Sequence, residues 1–324
     1  MADKAEVLVL SPKKAIEDGL KDFVLHRLWT APDREAFLAQ VGPRVRAIAS
    51  AGGHAAVDAN LMSRLPKLEI VSSFGVGYDH VDAKWAGQHG ITVTNTPDVL
   101  TEEVADTAIG LLLCTAREFP QAERYLRAGK WREKDYRLSP ATLRNRTVGI
   151  IGLGRIGKAI ARRLDAMLVP VVYHGRHRQP DVPYRYYDNL VAMARDADVL
   201  LAVAPGGPGT RNIINAAVLD ALGPDGIVIN MARGSLVDEP ALIKALQEKK
   251  IFSAGLDVYA HEPKVPAELI AMDNVVLFPH LGSASLHTRQ AMDQLVVDNL
   301  VAWAGGNPPL TPVPETPWPP SGRR

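Results

Sequence analysis

The stretch Thr147-Val148-Gly149-Ile150-Ile151-Gly152-Leu153-Gly154-Arg155-Ile156-Gly157 decides how this chain can fold. Its first five residues predict a short buried strand, and residues 158–166 predict a helix. The glycines between them follow the spacing GxGxxG, which is weak alone but specific between a strand and a helix. Gly152 permits a tight turn, Gly154 lets the backbone approach a pyrophosphate, and Gly157 lets the helix pack against the strand. We therefore predict a dinucleotide site at a helix N-terminus rather than a glycine-rich turn without a ligand.

Nine more short apolar runs alternate with helix-length segments along the chain. They occupy residues 7–10, 46–49, 68–72, 91–94, 170–173, 199–203, 226–230, 254–258 and 275–278. Such alternation predicts parallel sheets covered by helices, and ten strands are many for one sheet. We therefore predict an α/β protein with two doubly wound parallel-sheet domains. Two helical patterns, one that begins at Thr101 and one that covers 285–303, are the predicted crossings of the chain between the domains. One domain then comprises residues 1–99 and 285–324, and the other comprises residues 100–284.

Composition excludes several classes of protein. The chain has 324 residues, 47% of them hydrophobic, and a formal net charge of +1. This near-neutral balance argues against a dedicated nucleic-acid or membrane-surface protein, because binding many phosphates needs a clear basic excess. The single cysteine, Cys114, excludes an intramolecular disulfide and a four-thiolate zinc site, and no metal site is predicted. Since no apolar run is long enough to span a bilayer and no export signal is apparent, we expect a cytoplasmic protein.

Glycine and proline are slightly enriched, and the prolines cluster at one end. The chain contains 26 glycines and 24 prolines, and seven of the prolines lie in residues 307–324. Proline cannot continue a helix, so we predict an extended and partly mobile C-terminal segment.

The strand that follows the glycine turn ends in a basic run instead of an acid. An NAD site places Asp or Glu about 20 residues after the glycines, where it binds the ribose 2′-hydroxyl. Here the sequence reads His174-Gly175-Arg176-His177-Arg178, and the first acid is Asp181. Arginine binds a 2′-phosphate that a carboxylate would repel, so NADP(H) is expected in preference to NAD(H). The alternatives are that Arg176 and Arg178 are solvated loop charges, or that the site accepts both cofactors.

Three polar segments follow the later predicted strands, at residues 230–234, 257–263 and 279–284. In an open α/β sheet, ligands bind beyond the carboxyl ends of the strands. We therefore expect these segments to face one crevice.

These segments supply what hydride transfer to a 2-keto acid requires. Arg233 suits a role in binding the substrate carboxylate and polarising the carbonyl. His280 suits a proton donor, and Glu262 suits the carboxylate that orients the imidazole and favours its protonated form. Asp257 is an alternative partner for His280, and either Arg233 or His280 taken alone is as readily a structural residue.

Nearly the whole chain resembles the D-isomer-specific 2-hydroxyacid dehydrogenases. The resemblance is carried by Gly75-Val76-Gly77-Tyr78-Asp79, Val93-Thr94-Asn95-Thr96-Pro97, the turn 152–157, Ala232-Arg233-Gly234, residues 257–263 and Pro279-His280-Leu281-Gly282-Ser283. It implies that Arg233, Glu262 and His280 form the catalytic set, and that Arg233 and His280 also bind substrate. It implies as well that the backbone of Val76 and Gly77 holds the substrate carboxylate.

The same resemblance implies a Rossmann cofactor domain inserted in a discontinuous flavodoxin-like substrate domain. It places Asp257 near the nicotinamide. The cofactor contacts that we expect are Gly152, Leu153, Gly154, Arg155, Ile156, Gly157, Gly175, Arg176, Arg178, Ala204, Pro205, Thr210, Met231, Ala232, Arg233, Asp257, His280 and Gly282.

Within the family, residues 65–73 and the basic run resemble the NADPH-dependent glyoxylate/hydroxypyruvate reductases, and hydroxyphenylpyruvate reductases look similar. The small, polar residues 49–54 are expected to line the substrate side chain, which fits small acids without excluding an aryl group. The alternatives are an NAD-dependent dehydrogenase of another acid, such as D-lactate or phosphoglycerate, and a dinucleotide-sensing scaffold.

A homodimer is also implied by the resemblance. Its contact region would be the amphipathic segment 105–127 together with Trp131. For Leu111, Leu112 and Leu113 the alternative is packing in the core of the domain.

Overall fold

The computed structural model of the chain describes residues 4–50 and 55–319. Its contacts divide the chain into two units. Unit 1 comprises residues 1–100 and 285–324, and unit 2 comprises residues 101–284.

Unit 1 is built around a parallel sheet of five strands in the order β2-β1-β3-β4-β5. The strands are β1 (Glu6–Val9), β2 (Val24–Arg27), β3 (Val45–Ser50), β4 (Ile70–Ser73) and β5 (Thr92–Thr94). The helices between them are α1 (Lys14–Gly19), α2 (Arg34–Val41), α3 (Ala59–Ser63) and α4 (Ala83–Gln88). This order is that of a flavodoxin-like sheet, with its switch point between β1 and β3.

Unit 2 contains a parallel sheet of seven strands in the order β12-β11-β10-β9-β6-β7-β8. Its strands are β6 (Val148–Ile151), β7 (Val171–His174), β8 (Arg185–Tyr187), β9 (Val199–Ala202), β10 (Ile227–Asn230), β11 (Ser253–Leu256) and β12 (Val275–Leu277). Its helices are α5 (Thr101–Arg117), α6 (Phe119–Arg127), α7 (Arg155–Ala166), α8 (Leu190–Asp196), α9 (Ala216–Leu222), α10 (Glu239–Gln247) and α11 (Ala267–Ala271). The last helix of the chain, α12 (Leu286–Ala304), belongs to unit 1. Strands β6 to β11 have the spatial order β8-β7-β6-β9-β10-β11, which is the Rossmann order. The predicted fold class is therefore confirmed.

All ten predicted strands are present, with ends that differ by one or two residues. Strands β2 and β8, which lie at the edges of their sheets, were not predicted from the sequence. Both carry polar or partly exposed residues, as in Val24-Leu25-His26-Arg27. An edge strand has one free side and does not need the continuous apolar run of a central strand, so that pattern did not detect them.

The amphipathic segment 105–127 contains two helices rather than one. Glu118 has a left-handed backbone, with φ of 56°, and separates α5 from α6. Leu111 and Leu112 on α5 are fully buried inside unit 2, so core packing is correct for these two residues. On α6 no residue is buried, and Phe119 and Leu126 are about half exposed.

The described part of the proline-rich C-terminal segment is not extended throughout and does not lie free. The N–H of Thr316 donates to the carbonyl of Val313 at 3.0 Å and closes a turn, so the prediction of an extended segment is wrong at 313–316. Val313 and Thr316 are each 2% exposed within unit 1. The prediction of a mobile end is therefore wrong for this stretch, because apolar and hydrogen-bonded side chains among the prolines fix it to the unit.

The strands are the most deeply buried parts of both units. Leu8, Ile48 and Val71 centre the core of unit 1, and Leu200, Val228 and Ala254 lie in that of unit 2. Burying one large aliphatic side chain of this kind contributes about 1.5–3 kcal/mol. Among the helices of residues 4–50 and 55–319, none is both long and apolar enough to cross a membrane.

Candidate functional site

The glycine turn of unit 2 lies at the switch point of its sheet, between β6 and β9. Gly152 follows β6 with φ of +96°, a conformation that side chains other than glycine rarely adopt. A Cβ atom at Gly152 would lie 2.6 Å from the Cα of Ala204, which follows β9. Only glycine therefore fits at position 152, where the chain leaves β6 beside the end of β9. Sheets of this kind bind their ligands at the switch point.

The next glycine opens helix α7 and leaves space in front of it. No side chain caps this helix at Gly154, and a Cβ atom there would meet nothing within 4 Å. Gly157 has the opposite role, since its Cβ would lie 2.3 Å from the carbonyl oxygen of Gly152. An uncapped helix N-terminus with open space fits the pyrophosphate of a dinucleotide. Of the other predicted cofactor contacts here, Leu153 lies in the turn, and Arg155 and Ile156 begin helix α7.

The basic run after β7 is held beside the glycine turn. The backbone N–H of Gly152 donates to the carbonyl of His174 at 2.9 Å. The side chain of Gln179 donates to the carbonyl of Leu153 at 2.7 Å and ties the far end of the run to the same turn. Arg176 and Arg178 are exposed in this run. Two guanidinium groups and no carboxylate therefore stand between Tyr173 and Gln179.

The loop after β9 contains three of the predicted cofactor contacts, Ala204, Pro205 and Thr210. The hydroxyl of Thr210 donates to the carbonyl of Pro205 at 2.7 Å and closes the loop. Because Ala204 touches the position of Gly152, this loop borders the glycine turn.

Glu262 and His280 meet across the ends of β11 and β12. Nδ1 of His280 lies 2.6 Å from Oε2 of Glu262. Among the described residues no group hydrogen-bonds to Nε2 of His280. The backbone of His280 is left-handed, with φ of 53°, and its N–H donates to the carbonyl of Asp257 at 2.9 Å. An uncommon backbone conformation held by neighbouring groups is typical of functional positions.

The surroundings of Glu262 keep it ionised. Burial acts to raise the pKa of Glu262, but hydrogen bonds from His280 and from the backbone N–H of Tyr259 outweigh it. The charges of His280 and Arg233 add to this effect, so the pKa lies below its usual value. An ionised carboxylate accepts hydrogen bonds and cannot donate them, so Nδ1 of His280 carries the hydrogen in this pair. The structure thus brings the predicted residues Arg233, Glu262 and His280 together.

Asp257 does not compete for the ring of His280. Its two carboxylate oxygens accept from the backbone N–H groups of Leu281 at 2.7 Å and Gly282 at 2.9 Å. Burial raises the pKa of Asp257, and these two hydrogen bonds act against the rise. The alternative that Asp257 orients the imidazole is therefore wrong. Asp257 instead fixes the turn after His280, and a Cβ atom at Gly282 would lie 3.2 Å from Cε of Met231.

Three further residues shape this site and were given no role from the sequence. The hydroxyl of Tyr259 donates to the carbonyl of Phe278 at 2.8 Å, and its backbone N–H donates to Glu262. The side chain of Asn230 donates to the carbonyl of Arg233 and accepts from the N–H of Ala232. A Cβ atom at Gly234 would lie 1.9 Å from the backbone of Tyr259. Of these three residues, Gly234 was the one whose role the sequence could have indicated, because a glycine directly after Arg233 suggests close packing of the backbone.

Val76 and Gly77 lie in unit 1, in the loop that follows β4. Gly75 begins this loop with φ of +120°. Among the described residues, none accepts a hydrogen bond from the N–H of Val76 or Gly77. Residues 49–54 were expected to line the substrate side chain. Four of these six residues, 51–54, lie outside the described residues.

Comparisons with known proteins identify the family. The sequence model of the family described as "D-isomer specific 2-hydroxyacid dehydrogenase, NAD binding domain" matches residues 109–282. The chain is 47% identical over 309 residues to a hydroxyphenylpyruvate reductase of Plectranthus scutellarioides, covering 95% of this chain and 98% of the relative. It shows the same identity and coverage with a glyoxylate/hydroxypyruvate reductase A of Arabidopsis thaliana.

A solved structure is similar along the full chain. It is an NADPH-dependent glyoxylate/hydroxypyruvate reductase from Sinorhizobium meliloti in complex with NADP and malonate. The two chains are 49% identical with a TM-score of 0.93, and 99% of each is covered. The sequence motifs, the two sheets and these matches lead to one conclusion: the chain belongs to the D-isomer-specific 2-hydroxyacid dehydrogenase family.

Proposed function

We propose that the protein reduces small 2-keto acids, glyoxylate and hydroxypyruvate, with NADPH. The products are 2-hydroxy acids, of the D configuration where the carbon is chiral. The observation that carries this proposal is the hydrogen-bonded pair of Glu262 and His280 with Arg233 beside it, in the unit that contains the glycine turn. In this reading unit 2 is the NAD(P)-binding domain and unit 1 is the substrate domain.

NADPH is the cofactor that these residues fit. The open space at Gly154 and the uncapped N-terminus of α7 suit the pyrophosphate. Arg176 and Arg178 suit a 2′-phosphate, because guanidinium groups bind phosphates through charge-assisted hydrogen bonds. The similar enzyme from Sinorhizobium meliloti binds NADP, which supports this choice. When bound, NADPH supplies the hydride that the keto carbon accepts.

The chain supplies the binding groups and the proton. Arg233 binds the substrate carboxylate and polarises the keto oxygen, since its planar fork matches a carboxylate. His280 holds the transferable proton at Nε2, because Nδ1 donates to Glu262. The carboxylate of Glu262 fixes the orientation of the imidazole through this hydrogen bond. For unit 1, the proposal assigns the backbone N–H groups of Val76 and Gly77 to the substrate carboxylate.

The test is a panel of 2-keto acids with NADPH and with NADH. Glyoxylate and hydroxypyruvate with NADPH should give the highest kcat/KM. Turnover only with NADH would contradict the cofactor assignment. Tight dinucleotide binding without turnover of any keto acid would show a sensing scaffold instead of an enzyme.

An aryl substrate is the second candidate. The hydroxyphenylpyruvate reductase of Plectranthus scutellarioides matches this chain as well as the glyoxylate/hydroxypyruvate reductase of Arabidopsis thaliana does, at 47% identity each. Including hydroxyphenylpyruvate in the panel decides between the two, because a small binding site gives it a much lower kcat/KM than glyoxylate.

A homodimer and a cytoplasmic location complete the proposal. Phe119 is 48% exposed, Leu126 is 55% exposed and Trp131 is 63% exposed, so α6 and the turn after it present apolar side chains to a partner subunit. Light scattering should give twice the mass of one chain, and Leu126→Glu with Trp131→Glu should shift it toward the monomer. Cys114 is a free thiol, which fits a reducing compartment.

A further inference from the structure

The side chain of Asn95 fixes one peptide of the loop that contains Val76 and Gly77. Nδ2 of Asn95 donates to the carbonyl oxygen of Val76 at 2.9 Å. The peptide bond is planar and trans, so fixing this carbonyl also fixes the direction of the Gly77 N–H. A backbone donor must be held in place before the ligand arrives if it is to bind a carboxylate well.

Asn95 is in turn held by the proline-rich C-terminal segment. The hydroxyl of Thr311 donates to the carbonyl of Asn95 at 2.6 Å, and the N–H of Asn95 donates to the carbonyl of Thr311 at 3.3 Å. The N–H of Thr311 donates to Oδ1 of Asn299 at 3.1 Å, and Nδ2 of Asn299 donates back to the Thr311 hydroxyl at 2.9 Å. Asn299 is fully buried on α12. A continuous set of hydrogen bonds thus links α12 to the carbonyl of Val76.

The same segment reaches the loop at a second point. The hydroxyl of Tyr78 donates to Oε2 of Glu315 at 3.0 Å. Between the two contacts Val313 is buried, and its N–H donates to the carbonyl of Val93 at 2.9 Å. A Cβ atom at Gly87 would lie 2.5 Å from the carbonyl oxygen of Glu315, so α4 packs directly against this segment. Prolines within the segment reduce the freedom that it must lose on folding.

We propose that residues 311–315, which we call the strap, orient the loop that binds the substrate carboxylate. Thr311 and Glu315 are its positioning residues, acting through Asn95 and Tyr78. This proposal rests on the proposed function, because it assumes that Val76 and Gly77 bind a carboxylate. It gives the C-terminal prolines a role in substrate binding that goes beyond closing the core of unit 1.

A matched pair of substitutions tests the strap. Thr311→Val removes the hydroxyl that holds Asn95. Thr316→Val removes a hydroxyl whose partner among the described residues is the backbone of Val93 on β5. Thr311→Val should raise KM for glyoxylate about threefold to tenfold, since one hydrogen bond is lost from the support of the loop. Its kcat and its Kd for NADPH should stay within about twofold of wild type. Thr316→Val should lower Tm and leave KM unchanged.

Glu315 provides a rescue experiment at an exposed position, where misfolding is not expected. Glu315→Ala should raise KM, and Glu315→Gln should restore it, because the amide oxygen accepts the same hydrogen bond from Tyr78. Equal KM values for wild type, Thr311→Val and Glu315→Ala would overturn the proposal. An equal rise in KM for Thr316→Val would overturn it too, by showing a general loss of structure.

Hydrogen exchange separates failure of the strap from failure of the proposed function. The amides of 76–78 should exchange faster in Thr311→Val than in Thr316→Val, whatever the substrate is. If wild type reduces no 2-keto acid, the proposed function fails, and this exchange rate still decides whether the strap holds the loop. Identical exchange in both variants would contradict the strap itself.

Discussion

The side chains of Glu262 and His280, 18 residues apart in sequence, are joined by a hydrogen bond of 2.6 Å between Oε2 and Nδ1. This bond uses one ring nitrogen for orientation and leaves the other for proton transfer. The carboxylate of Glu262 is ionised, so the hydrogen bond that holds the imidazole is charge-assisted.

Glu262→Gln should lower kcat for glyoxylate reduction. The substitution replaces a charge-assisted hydrogen bond to Nδ1 of His280 with a weaker neutral one, so the ring is held less firmly for proton transfer. A loss of about 1.5 kcal/mol corresponds to roughly tenfold in kcat. Glu268→Gln, on the exposed face of α11, is the control. A kcat in Glu262→Gln that matches the control would contradict the orienting role of Glu262.

Two glycine substitutions separate the cofactor space from the fold. Gly154→Ala adds a methyl group to open space, so Tm should stay close to wild type while Kd for NADPH rises at least about tenfold. Gly152→Ala forces a contact with Ala204 and a strained backbone, and should cost about 1–3 kcal/mol of stability. Calorimetry and thermal unfolding measure both effects. Unchanged NADPH affinity in Gly154→Ala would show that the pyrophosphate binds elsewhere.

Arg176→Ala should lower kcat/KM with NADPH much more than kcat/KM with NADH. A charge-assisted hydrogen bond to the 2′-phosphate contributes about 1.5–3 kcal/mol, which corresponds to roughly tenfold to 100-fold in kcat/KM. Arg195→Ala, at the end of α8, controls for the loss of one positive charge. Parallel losses with both cofactors would identify Arg176 as a structural residue, and a wild-type preference for NADH would contradict the NADPH assignment.

Asp293 should make stability depend on pH. It is 6% exposed on α12, and Nζ of Lys13 lies 3.1 Å from its Oδ1. Burial raises the pKa of Asp293 above 3.8, and Lys13 and Arg289 only partly offset this rise. Because the folded protein binds this proton more tightly than the unfolded chain, the stabilisation is complete below the unfolded value and is lost as pH rises through the raised pKa.

In urea unfolding between about pH 4 and pH 6, wild type should therefore lose free energy of unfolding relative to Asp293→Asn. Asp298→Asn removes a carboxylate from the same helix and controls for net charge. A difference between wild type and Asp293→Asn that is constant with pH would show that Asp293 titrates alike in the folded and unfolded states.

The central strands were predictable because burial on both faces imposes an apolar run. Val148–Ile151 and Ile227–Asn230 are examples in which every residue is buried. The edge strands β2 and β8 escaped because solvent reaches them, and the left-handed Glu118 that separates α5 from α6 has no sequence signature comparable to glycine.

In the candidate site, the side chains that carry reactive groups of their own, Arg233, Glu262 and His280, were identifiable from the sequence as candidates, and the structure brings them together. The supporting groups were not. Tyr259 acts through a hydroxyl bonded to backbone carbonyls, and Thr311 lies 216 residues from the Asn95 carbonyl that it holds. Such long-range contacts depend on the final packing and leave no local pattern in the chain.

The proton-donor role of His280 is tested most directly by kcat for glyoxylate reduction with NADPH in wild type and in His280→Gln. Glutamine keeps a polar side chain of similar size but cannot donate a proton as an acid. Wild type should turn over glyoxylate, and His280→Gln should lose about 100-fold or more in kcat, with Kd for NADPH little changed. A kcat in His280→Gln close to that of wild type would contradict the assignment of His280 as the proton donor.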